Sequence, residues 1–196
     1  MNLTGVQKLL CLKSLILWQK KNLMPSKENL LRMNLKKNIR YLRNSLYCLP
    51  WKVLNKINLY KDKNLPIQYI SEDANWAIKT VGENIKREID LISPEKFEIN
   101  INPHKLTKKI VHFGSQYMWL NWGEHMSKDN YFISTFFHGK PDDGDTAKIH
   151  CAQFLKSVPR LSKVITASSI VERRLLNWGI SLEKIIKIPL GVNTKN

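Results

Sequence analysis

Two histidine-glycine neighbours carry the first chemical signal in this chain. In "TFFHGKPDDGD" a very apolar run delivers His138 to a strand end, and Gly139 lets the backbone turn there and lets a ligand come close. An imidazole in that position can accept or donate a proton, or orient a hydroxyl, near neutral pH. The bland alternative is a histidine that only bonds its own loop. "VHFGSQ" repeats the form, with His112 followed by Gly114, Ser115 and Gln116. His112 lies one residue earlier on its strand, so it is expected in the sheet packing and not in a cleft.

"TASSIVE" sets Ser168 and Ser169 at a predicted helix N-terminus, where hydroxyls and free N–H groups can bind a phosphate or a sugar hydroxyl. Capping competes with that use, and Ser169 with Glu172 has capping-box spacing. Asp142, Asp143 and Asp145 flank Gly144. Their order does not fit a calcium loop, so a solvated turn capping the next helix is expected, and no metal. Trp119 and Trp122 have the right rings to stack on a sugar, although helix packing is their commoner use.

The elements that must position these groups follow from periodicity. From residue 66 onward, short apolar runs ("PIQYIS", "FEINI", "KKIVHFG", "YFISTFFHG", "SKVITAS", "KIIKIPLGV") alternate with helical patterns. One helix is expected over 72–93, with Ile78, Val81, Ile85, Ile89 and Ile92 on one face. Gly179 is expected to close the helix that begins at the serines. Alternation with apolar strands argues an α/β, Rossmann-like, doubly wound and mostly parallel sheet. In such a sheet ligands bind beyond the carboxyl ends of the strands, which makes those ends the candidate site.

Composition bounds the rest. The chain has 196 residues and a net charge of +16. Residues 1–66 hold 14 Lys/Arg and 2 Asp/Glu, so most of the positive charge sits there. Leu35, Ile39, Leu42, Leu46 and Leu49 recur at helical spacing, Lys36, Lys37, Arg40 and Arg43 lie off that stripe, and Pro50 is expected to end the pattern. Such a basic amphipathic helix suits an anionic membrane surface, or else packs on the main domain with its basic face solvated. A nucleic-acid partner is disfavoured, since no matching fold motif accompanies the charge. The expected domains are a basic, partly helical extension over 1–65, a Rossmann-like domain over 66–192, and the start of a hinge over 193–196.

Three separated cysteines give no disulfide framework or zinc spacing, which makes a cytoplasmic setting the default. Lys8 and Lys13 interrupt the apolar N-terminus, so no export signal or membrane span is expected. The glycine fingerprint of nicotinamide enzymes, the P-loop and the hydrolase nucleophile elbow are all missing from the sequence.

"TFFHG", a helix, and then "LSKVITASSIVERRLLNWGISLEKIIKIPLGVNT" together resemble glycosyltransferase family 4. The resemblance spans about residues 109–194 and extends less sharply back to 67. It leaves residues 1–60 without a counterpart, and Asn193 stands where the family usually has Asp. It implies the N-terminal, acceptor-side half of a GT-B fold, in an enzyme that moves a sugar from a nucleotide-sugar donor to a glycan or lipid-linked acceptor with retention. No metal or other cofactor is implied. By the resemblance, His138 lines the sugar site, Ser168 and Gly139 share its wall, and Gly114, Ser115 and Gln116 face the acceptor. Asn75 lies in the loop where the family often has glycines. The family's diphosphate-binding Arg and Lys and its Glu-x7-Glu belong to a C-terminal domain, so the expectation is that this polypeptide transfers no sugar by itself. Several members sit on the inner face of the plasma membrane, which fits the basic helix. The competing expectation is a single-domain Rossmann-like binding protein with a basic arm for a membrane or nucleic acid.

Overall fold

The computed structural model describes residues 27–56, 67–74 and 77–189. Asn75, Gly191 and the expected hinge 193–196 therefore lie outside the described residues, as do residues 1–26 and 57–66 of the expected extension.

Six strands form one sheet: β1 (Ile67–Ile70), β2 (Phe97–Asn100), β3 (Ile110–Phe113), β4 (Tyr131–Thr135), β5 (Lys163–Thr166) and β6 (Ile185–Lys187). The spatial order is β2-β1-β3-β4-β5-β6, and every neighbouring pair is parallel. The "mostly parallel" expectation is thus met without an antiparallel strand, in an α/β architecture consistent with a Rossmann-like fold. From β1 the chain steps outward to β2, then crosses to β3 and runs the other way. That reversal puts a topological switch point between β1 and β3.

The α-helices among the described residues are α1 (Lys27–Lys56), α2 (Ala77–Ile92), α3 (Gln116–Trp122), α4 (Asp145–Ser157) and α5 (Ser169–Asn177). Val111 and Phe113 of β3, Phe132 of β4 and Val164 of β5 join Trp119, Phe154 and Leu175 of α3, α4 and α5 in the main core. The alternate strand positions, His112, Thr135 and Ile165, face the other way. With Tyr69 and with Val81 and Ile85 of α2 they line an apolar groove of about 420 Å³. Period-two alternation separates these two faces.

Tyr69 locks α2 to the sheet. Its ring is buried between two glycines: a Cβ on Gly82 would lie 2.6 Å from Tyr69 Cε1, and one on Gly114 would lie 2.5 Å from Tyr69 Oη. The phenol donates to the Ile78 carbonyl at 3.0 Å.

Several element boundaries differ from expectation. The helix expected from residue 72 starts at Ala77. Pro50 does not end the first helix, which runs on to Lys56. Leu46 and Pro50 are both exposed, so water can serve the Leu46 carbonyl that loses its partner. β4 stops at Thr135: Phe136 N–H still reaches Ile165 O of β5 at 2.8 Å, but Phe137 N–H, on the β3 side, goes to the Gln116 side chain. β6 stops at Lys187, although Ile188 N–H still reaches Thr166 O at 2.9 Å. Helix α5 is capped by Ser168 and not Ser169: Ser168 Oγ accepts from Ile170 N–H at 3.2 Å. Its far end matches the expected glycine stop. Gly179 has φ +87°, its N–H bonds Leu176 O, and Ile180 N–H bonds Leu175 O, a Schellman ending.

Candidate functional site

The carboxyl edge of the sheet brings together the ends of β1, β3, β4 and β5. His138 is exposed there. Since β4 ends at Thr135, His138 stands three residues into the loop and not on the strand itself. That loop is held from two sides. Gln116, buried at the start of α3, donates from Nε2 to the His138 carbonyl at 2.8 Å and accepts from Phe137 N–H at 3.4 Å. Arg174 of α5 donates from Nη1 to the Gly139 carbonyl at 2.9 Å. Gly139 has φ +124°, a backbone conformation that side chains with a Cβ rarely adopt. The backbone is thereby fixed while the imidazole of His138 stays open to solvent.

The other expected site residues serve this scaffold. Gly114 is buried against Tyr69 and Ile78. Ser115 is buried and caps α3, its Oγ accepting from Met118 N–H at 3.3 Å. Ser168 is half-buried and caps α5. Around the edge, then, three predicted polar groups bond protein partners and one, His138, faces out. His112 is in the sheet as expected, with Nε2 2.8 Å from Thr135 Oγ1 and its ring edge-on to Tyr69. Burial pushes its imidazole down to about 4.

Tyr117 and Arg174 were not singled out from sequence. Tyr117 follows Gln116 in the first turn of α3. Its ring centroid is 6.5 Å from that of His138 and 5.1 Å from that of His150. Burial raises its phenol above the ordinary tyrosine range; the Cys151 thiol and the carboxylates Asp143 and Glu72 push the same way, and a hydrogen bond with Gln116 opposes them. Groups from the loops after β1 and β4 and from α4 thus converge on one phenol. Cys151 beside it is buried, and burial raises its thiol to about 11, which makes it a poor nucleophile. The only advance signal for Arg174 was a basic residue in the helix after β5, and nothing in its spacing pointed to the Gly139 carbonyl.

Tyr117 also borders a second cavity, about 300 Å³, between α1, α3 and α4, with Lys36, Arg40, Glu124, His125 and His150 in its walls. Arg40 donates to Asn121 Oδ1 at 2.6 Å. Two of the four cations expected to meet a membrane therefore border this cavity; Arg43 is exposed, and the Lys37 side chain lies outside the described residues.

Among the described residues no group of three or more His, Cys, Asp or Glu is arranged to hold a metal ion. No protein-family model matches the chain, and no curated protein or solved structure matches it.

Proposed function

We propose that the chain is the acceptor-side part of a retaining glycosyltransferase, working with a nucleotide sugar and a glycan or lipid-linked acceptor. The observation that carries this reading is the His138 loop. An exposed imidazole sits at the carboxyl edge of a parallel sheet, on a backbone tied down by Gln116 and Arg174. Such an imidazole can hold a sugar hydroxyl in one orientation, and a fixed backbone means little ordering cost on binding. The all-parallel sheet and its switch point agree with a Rossmann-like wall of a sugar cleft. The sequence resemblance over 109–194 supplies the reaction class.

In this reading Gln116, Gly139 and Ser168 shape the wall, Gly114 and Ser115 hold its first helix against the sheet, and His138 touches sugar. No two glutamates in the 196 residues are separated by seven others. The diphosphate grip and the paired glutamates of the family must then come from a second domain, and these residues alone bind without turning over. No metal is required by the proposal.

A second reading is a single-domain Rossmann-like binding protein with a basic arm for a membrane or nucleic acid, favoured by the excess of Lys and Arg in the first helix. Calorimetry of the full chain with a panel of nucleotide sugars and oligosaccharide acceptors tests the first. The proposal expects saccharide binding that weakens about tenfold in His138→Ala, the loss of one good hydrogen bond, with the circular dichroism unchanged. Equal affinity in the variant, or no saccharide binding at all, would sink it.

A further inference from the structure

Helix α1 docks by its polar side. Asn44 and Cys48 are buried beneath it, and Asn44 Nδ2 donates to the Asn121 carbonyl at 2.6 Å. Arg40 reaches Asn121 Oδ1 at 2.6 Å, and Ser45 Oγ lies 3.1 Å from His125 Nδ1. Farther along, Trp51 meets His104 and carries the Lys105 ammonium 5.0 Å over its ring. These contacts fix which side of α1 faces the domain.

The opposite side is aliphatic and open. Leu35, Ile39, Leu42, Leu46 and Leu49 are 57–69% exposed, and Val53 is 52% exposed. At about 100° per residue these six fall within an arc of roughly 80°, opposite Asn44, and span about 27 Å of helix. Exposed Lys36 and Arg43 border the stripe on one side and exposed Lys52 on the other. The usual globular arrangement turns the apolar stripe inward, whereas here it faces solvent together with the flanking charges. The helix packs on the domain, as one sequence expectation had it, yet it leaves its apolar stripe as well as its basic residues to solvent.

We propose that this face of α1 is a docking surface for an anionic lipid bilayer, with the aliphatic stripe entering the headgroup boundary and Lys36, Arg43 and Lys52 meeting lipid phosphates. Helix α1 contains eight Lys/Arg and one acid, Glu28. That imbalance argues against a second copy, because pairing two stripes would bring like charges together. A nucleic acid would satisfy the cations and leave six aliphatic side chains in water. An anionic membrane surface covers both at once. No helix among the described residues is long and apolar enough to cross a membrane, so the contact lies in the surface plane. The inference does not depend on glycosyl transfer.

The test is sedimentation of the full chain with vesicles of phosphatidylcholine alone and of phosphatidylcholine mixed equally with phosphatidylglycerol. The chain is expected to pellet with the mixed vesicles only, and less as salt rises. Leu42→Glu with Leu46→Glu, both at exposed positions, should weaken that binding by at least about tenfold while helicity is retained. Equal binding to both vesicle types, wild-type binding by the double variant, or a dimer that the double variant dissolves without any vesicle binding would each overturn the proposal.

Discussion

Gly114→Ala separates a packing role from a ligand role at the edge of the sheet. A Cβ there would stand 2.5 Å from Tyr69 Oη, 2.7 Å from Tyr69 Cζ and 2.7 Å from Ile78 Cγ2. The ring cannot retreat, since its other side rests on Gly82, where the corresponding Cβ distance is 2.6 Å. The strand cannot retreat either, because Gly114 N–H is bonded to Ile70 O at 2.9 Å. Overpacking of this kind costs about 1–3 kcal/mol. Displacing the phenol also breaks its bond to the Ile78 carbonyl, worth about 1 kcal/mol more. A loss of about 2–4 kcal/mol follows, or roughly 4–16 °C in Tm for a chain of this length. Urea unfolding followed by tryptophan fluorescence reads it directly. Tyr69→Phe in the Gly114→Ala background should recover part of the loss, because the hydroxyl is the nearest clashing atom. A Gly114→Ala protein within about 0.5 kcal/mol of wild type would refute the wedge; if that protein had also lost saccharide affinity, Gly114 would be a ligand contact instead.

Two further outcomes follow from buried polar groups. His112 titrates near 6.5 when unfolded and at about 4 when folded, so the unfolded state binds more protons between those values. Its contribution, up to about 3 kcal/mol, is complete above pH 6.5 and is lost as pH falls through 4; urea midpoints at pH 7 and pH 5 should differ more in wild type than in His112→Gln, and parallel shifts would contradict the assignment. Gln116→Leu leaves Phe137 N–H and the His138 carbonyl without their side-chain partner. It should cost about 1–3 kcal/mol and speed hydrogen exchange at Phe137, and an unchanged exchange rate there would show that the loop is not held by Gln116.

Much of the fold could be read from apolar periodicity, because parallel strands buried on both faces announce themselves as apolar runs. All six strands and the helices after β1, β3, β4 and β5 lie where the sequence placed them, with ends shifted. The ends moved for tertiary reasons. Phe137 gave its N–H to a side chain 21 residues away, and Pro50 stayed helical because water can serve the carbonyl its ring leaves unpaired. The site was less legible. His138, Gly139 and Gln116 stood out by type and position, but the sequence could not say that Gln116 holds the loop and His138 faces out. Arg174 and Tyr117 were missed, since their importance comes from distances across the fold. The leucine stripe of α1 was visible as a period, whereas its outward orientation was decided by Asn44, Cys48 and Arg40 on the other side.

In the proposed function, sugar binds at the clamped His138 loop. Amide and side-chain resonances followed by NMR during titration with nucleotide sugars and oligosaccharide acceptors test it most directly. Phe137, His138 and Gly139 and the Gln116 side-chain amide are expected to shift together and saturably, while β2 at the far edge of the sheet stays still. Saturable shifts confined to other parts of the chain, or none at this loop with any saccharide, would contradict it.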